Sequence, residues 1–199
     1  MAQGGMQIAV APDDSPVQHF LDTLKGGHMK NDHALLKVMV EEGPTIAKWL
    51  IELGVLFDRD ADGNLHVKKG GGSSKERLLT CSDYTGLEIM RVLKDEVLNQ
   101  KIPLLEFAAA LELLSDEQGN CTGAVLQDLD NKRLVVVAAK TVILATGGIG
   151  RLHIQGFPTS NHYGATGDGL AMAYRMGSPL VQIDTFQYHP SGGIYPEQL

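Results

Sequence analysis

The 199 residues carry 17 Lys and Arg against 24 Asp and Glu, a net charge of −7, with 43% hydrophobic residues. This supports a buried core, excludes wholesale disorder, and argues against a protein that grips nucleic acid through clustered Lys and Arg. Two cysteines, Cys81 and Cys121, make neither a disulfide scaffold nor a four-thiolate metal site, and no apolar run approaches the ~20 residues of a membrane-crossing helix.

Asp14-Ser15-Pro16 predicts a helix start, with Ser15 as N-cap and Pro16 in the first turn. Val17, Phe20, Leu21 and Leu24 then form one apolar face, and Gly26-Gly27 stops the helix. Asn31-Asp32 caps a second helix through Val40. Gly43-Pro44 breaks it and opens a third, with Ile46, Trp49, Leu50 and Leu53 on one face and Gly54 as its stop. Asp62-Gly63 signals a turn, and Lys68 to Lys75 reads as an exposed Gly/Ser-rich loop. Residues 85–98 carry a further helical pattern. After Pro103, strands are predicted over Leu104 to Leu114, Gly123 to Leu129 and Leu134 to Ala139. Thr141 to Leu144 reads as a short, buried parallel strand, and Gly169 to Met176 as a helix closed by Gly177. The mixture fits an α/β domain with a small β-meander.

The 23 glycines fall in clusters, and three motifs combine small residues with groups able to do chemistry. Ala145-Thr146-Gly147-Gly148-Ile149-Gly150 follows the expected buried strand, where backbone N–H groups can approach a ligand; a tight turn after a core strand would look the same. Thr166-Gly167-Asp168-Gly169 opens a helix, and Asp168 is either its cap or a carboxylate fixed beside a cofactor. His189-Pro190-Ser191-Gly192 presents an imidazole from a stiff joint, as a surface loop or as a donor to a carboxylate. His19, His28, His33, His66, His153 and His162 show no paired metal spacing and read as core or surface residues.

Taken in order, these residues resemble the flavoprotein subunit of fumarate reductases and succinate dehydrogenases. Ala2-Gln3-Gly4-Gly5, Asp22-Thr23-Leu24-Lys25-Gly26, Asp83-Tyr84-Thr85-Gly86, the Ala145–Arg151 run, Asn161, Thr166–Gly169 and His189–Gly192 carry the resemblance. It implies part of a Rossmann-like FAD-binding domain over 1–190, with 191–199 beginning a substrate-capping domain. It also implies FAD, and hydride transfer between flavin and a C4 dicarboxylate. Ala2, Gln3, Gly4 and Gly5 would lie on the flavin, and Ala108 would meet the adenine. Ala145, Thr146 and Gly147 would line the cofactor cleft, with Asn161 and Asp168 beside it. His189 would hydrogen-bond a substrate carboxylate, with Ser191 and Gly192 adjacent.

Relatives acting on other substrates share these motifs: aspartate oxidases, ketosteroid dehydrogenases and urocanate reductases. The resemblance places the family's first βαβ unit, with its Gly-x-Gly-x-x-Gly loop, before Met1, and its proton-donating Arg after Leu199. The chain is therefore expected to be a central piece of a longer enzyme, unable to bind FAD alone. Electron partners implied are an iron–sulfur or haem protein, and the expected location is cytoplasmic, peripheral to a membrane through a partner protein.

Overall fold

A computed structural model describes residues 4–152, 159 and 161–187. The chain divides into two compact units, Met1–Ile102 and Pro103–Leu199.

In the first unit, β1 (Met6–Gln7) is followed by α1 (Pro16–Gly26), α2 (His33–Leu53), β2 (Val67–Lys69), β3 (Glu76–Leu79) and α3 (Thr85–Asn99). The three strands form an antiparallel sheet in the order β1-β3-β2. Ile8, Ala47, Leu50, Val55, Phe57, Leu79, Cys81 and Val92 form the core, so β3 is buried between sheet partners and the helices. Helix starts follow the expected chemistry. The Ser15 hydroxyl accepts from the Gln18 N–H at 3.1 Å, and Asp32 Oδ1 accepts from the Ala34 and Leu35 N–H groups at 2.9 and 3.1 Å. Gly54, at φ 107°, ends α2 in the left-handed region that glycine adopts without cost.

Three expectations change here. First, α1 docks through only part of its predicted apolar face: Phe20 and Leu24 are half-buried, with Phe20 edge-on to His33 of α2, while Val17 and Leu21 are 70% and 52% exposed and His19 is buried. The reason is Arg77, fully buried on β3, which draws in Asp14 just ahead of α1 and Asp22 within it. Second, Gly43-Pro44 does not break the helix; α2 runs through it as one 21-residue element. Pro44 lacks the N–H that would bond the Val40 carbonyl, but burial of Leu36, Val40, Ala47 and Leu50 on both sides carries the helix across. Third, the Lys68–Lys75 stretch is only partly a loop: its start pairs with β3 as β2, and Ser73 is buried with its hydroxyl donating to Gln7 Oε1 at 2.9 Å.

In the second unit, β4 (Ala108–Ser115), β5 (Cys121–Asp128) and β6 (Leu134–Ala138) form an antiparallel meander, and α4 spans Asp168–Arg175. Asp116 and Asp128 each turn the chain between strands by accepting backbone N–H groups from Asn120 and Asn131. Residues 104–107, expected as strand, are exposed and irregular, and Phe107 stands at φ 53°. The Thr141–Leu144 run is likewise not a buried strand. Ile143 is 87% exposed, and no strand among the described residues pairs with the run, so neither its backbone nor its side chains find the cover a parallel strand requires. The mixed α/β class stands, with both sheets small and antiparallel.

Candidate functional site

In the second unit the structure brings two of the three sequence motifs together, with Asn161 beside them. The segment Ala145–Gly150 runs beside the N-terminus of α4, where the Gly167 N–H donates to the Gly148 carbonyl at 3.2 Å. Contact is close enough to demand glycine: a Cβ on Gly169 would overlap the Thr146 hydroxyl, and one on Gly167 would overlap the Ile149 side chain. On the other side of the segment, a Cβ on Gly150 would stand 2.6 Å from Asn161 Nδ2. The Thr159 hydroxyl donates to the Gly150 carbonyl at 3.0 Å and accepts from Asn161 N and Nδ2 at 3.1 and 2.9 Å.

Arg151 locks this arrangement. Its Nη1 donates to the Thr159 and Asn161 carbonyls at 3.0 and 3.2 Å, and its guanidinium lies 4.3 Å from the Tyr163 ring centroid. Helix α4 is in turn tied to β4 by Arg175, which pairs with Glu112 at 2.8 Å and donates to the Leu111 carbonyl.

Asp168 is not the helix cap. Gly167, at φ 80°, occupies that position, and Asp168 is the first helical residue, exposed, with its carboxylate accepting from the Thr166 hydroxyl at 2.5 Å. The carboxylate is thus held by its neighbour and left free of the helix backbone. Gly147 and Gly148 have nothing within 4 Å of where a Cβ would stand, and Ala145 to Gly148 are exposed. The ten main-chain N–H groups from Thr141 to Gly150 meet no acceptor among the described residues. Consecutive free donors on small residues, beside a fixed carboxylate and an amide, suit a polar ligand that approaches backbone closely. Ala108 opens β4, half-buried and paired with Asp128, at the same sheet that carries α4.

In the first unit Gly4 is exposed with open space around it, while Gly5, at φ 99°, lies flush against β3. Ala2, Gln3, His189, Ser191 and Gly192 lie outside the described residues, as does His153.

The strongest electrostatic feature was not singled out from sequence. Arg77 Nε and Nη2 donate to Asp14 Oδ2 and Oδ1 at 2.8 and 2.9 Å, and Nη1 stands 2.9 Å from Asp22 Oδ2. Desolvation pushes the Asp22 carboxyl up, but hydrogen bonds from Ser74 and Gln18, with the Arg77 charge, outweigh it and hold it down at about 2. Burial, then the Arg77 charge, pushes His19 down, keeping it neutral. The available signal was an arginine beside the apolar Leu78-Leu79 pair, with one aspartate just ahead of a helix and another two turns into it. Cys81 is buried and pushed up to about 11 by desolvation, then by Glu88 and Asp58, so it stays a thiol.

Residues 1–198 match the family described as FAD binding domain. The chain is 38% identical over 200 residues to one subunit of the fumarate reductase (CoM/CoB) of Methanothermobacter marburgensis, covering 99% of this chain and 36% of that protein. It is 35% identical over 194 residues to the chloroplastic L-aspartate oxidase of Arabidopsis thaliana, covering 96% of this chain and 29% of that protein. Among solved structures, Mycobacterium smegmatis Sdh1 in complex with UQ1 superposes with a TM-score of 0.81 at 34% identity, over 88% of this chain and 31% of that one. The chain thus spans about a third of the length of the relatives it matches. The open glycines beside the fixed carboxylate of Asp168 are compatible with FAD, and the chain belongs to the FAD-binding domain family of flavoprotein oxidoreductases.

Proposed function

We propose that this chain is part of an FAD-dependent oxidoreductase of the fumarate reductase and succinate dehydrogenase type, acting on a C4 dicarboxylate. The observation that supports the reading is the packing of Thr146 on Gly169, Ile149 on Gly167 and Asn161 on Gly150, which sets the exposed Ala145–Gly148 backbone beside Asp168. FAD supplies the hydride-donating and hydride-accepting chemistry when bound. Around it, Ala145, Thr146 and Gly147 offer backbone N–H groups, Asn161 an amide, and Asp168 an acceptor. Ala108 offers its backbone to the adenine, and Ala2, Gln3, Gly4 and Gly5 form the surface under the flavin ring.

His189 holds a substrate carboxylate from the His189–Gly192 loop, with Ser191 and Gly192 beside it. A fixed donor there stabilises the charge that builds on the substrate as hydride moves. Residues 1–190 belong to the cofactor domain and 191–199 begin the part that caps the substrate. The electron partner is an iron–sulfur or haem protein, and the enzyme works in the cytoplasm at a membrane-bound partner. Among the described residues no helix is long and apolar enough to cross a membrane.

The test is turnover by the holoprotein with fumarate and a reduced dye, and with L-aspartate. Fumarate reduction that drops by about 10²-fold or more in His189→Ala, with flavin still bound, supports the reading. Full activity in that variant removes His189 from the site. Oxidation of L-aspartate in place of fumarate reduction favours the second reading, an aspartate oxidase, for which the 35% identity to the plant enzyme speaks.

A further inference from the structure

We propose that the buried Arg77–Asp14–Asp22 cluster is a positioning device that sets where the Gly4–Gly5 segment presents its backbone to the flavin. The inference rests on the flavin-facing reading of that segment. β1 is two residues long and has β3 as its sole partner strand among the described residues, so its placement is inherited from β3. The inheritance is direct. Met6 and Gln7 sit opposite Leu79 and Leu78, and the Ile8 N–H donates to the Arg77 carbonyl at 2.8 Å. Gly5 rests on the same strand: a Cβ there would stand 2.5 Å from the Leu79 carbonyl oxygen, 2.9 Å from Thr80 Cγ2 and 3.1 Å from Leu78 Cδ1. Any shift of β3 is therefore transmitted to Gly5 within three residues of Arg77.

Arg77 is what fixes β3 against α1. Its guanidinium is fully buried, takes Asp14 in a two-point clasp and faces Asp22 across 2.9 Å from the remaining nitrogen, an ion pair without an aligned hydrogen bond. Asp22 is itself anchored, accepting from the Ser74 N–H at 2.9 Å and the Ser74 hydroxyl at 2.7 Å. The adjacent Ser73 hydroxyl donates to Gln7 Oε1, which closes the loop back onto β1. A buried arginine with two carboxylates is weak evidence for stability, because well-packed apolar side chains would serve as well. Its planar fork fixes direction, which an apolar contact does not.

The experiment compares Arg77→Lys, Asp22→Asn, Gly5→Ala and the remote core truncation Val92→Ala in the flavin-loaded holoprotein. Melting temperature, FAD dissociation constant and flavin absorbance and fluorescence are read for each. R77K keeps the charge but loses the clasp; it is expected to weaken FAD binding by roughly tenfold, the scale of a small misplacement, and to perturb the flavin spectrum in the sense of G5A. D22N leaves the Asp14 clasp in place and shifts the same readouts less. V92A lowers the melting temperature and leaves the spectrum alone. Should G5A alter the flavin while R77K and D22N behave like V92A, the proposal is overturned and the flavin-facing reading stands. A G5A protein with unaltered flavin overturns that reading, and the proposal with it. If R77K does not fold, D22N decides by the same comparison.

Discussion

Gly169 illustrates how a single hydrogen in place of a methyl group shapes the site. Alanine is the better helix former by about 1 kcal/mol, so propensity alone would favour G169A. The obstacle is Thr146, a short branched side chain whose Cβ and Cγ2 also lie 3.1 and 3.4 Å from the would-be methyl, leaving it no easy retreat. The clash is expected to win, with G169A destabilising by about 1–3 kcal/mol. T146A should recover most of that loss in the double variant, a coupling read by denaturant titration.

Charges in the first unit give a pH dependence with a definite sign. Hydrogen bonds from Thr80 and Lys68, against opposing desolvation, hold Asp58 at about 2, and Asp22 is held equally low. An unfolded aspartate titrates near ~3.9. The stability these two provide is therefore full above about pH 4 and is lost as pH falls toward 2. His19 adds a second, milder decline. It stays neutral in the fold below the ~6.5 at which the unfolded chain takes up a proton, so acidification from there favours unfolding. Urea midpoints between pH 7 and 2 should show both declines, with H19Q flattening the upper one and D58N the lower.

Helix α2 shows packing overriding a local stop signal. Pro44 deprives the ladder of one bond, yet Val40, Ala47 and Leu50 are almost completely buried around it. P44A is expected to stabilise by about 1–2 kcal/mol, less than the ~3 kcal/mol of the intrinsic helix penalty, because proline also restrains the unfolded chain. A raised melting temperature checks this; a lowered one would mean the ring itself is needed against its neighbours. Helix α1 makes the complementary point. Its apolar periodicity is genuine, but the side chain that reaches β3 is Asp22, and His19 is buried while Val17 is not, because a buried guanidinium needs carboxylates more than the sheet needs Val17.

The division at Ile102 and Pro103 has consequences for the molecule as a whole. Lys101 is exposed at φ 55°, and Ile102 to Phe107 are exposed and irregular. Limited trypsin digestion should first cut after Lys101, leaving a protected N-terminal fragment. A first cut inside α2 or α3 would contradict the division. Because the chain spans about a third of its relatives, residues 1–199 alone are expected to give no measurable calorimetric FAD isotherm. Micromolar binding would overturn that expectation.

The local grammar of the chain was legible from residues alone. Ser15, Asp32 and Gly54 bound helices where their side chains or backbone freedom dictate, because caps are settled within a few residues. Close packing at Gly150, Gly167 and Gly169 was legible as small-residue clusters, because close approach leaves its mark in residue type. What periodicity could not decide was cover. Whether Thr141–Leu144 is buried, and which face of α1 turns inward, depend on distant partners. The clasp of Asp14 by Arg77 joins residues 63 positions apart, and only the folded chain brings them together.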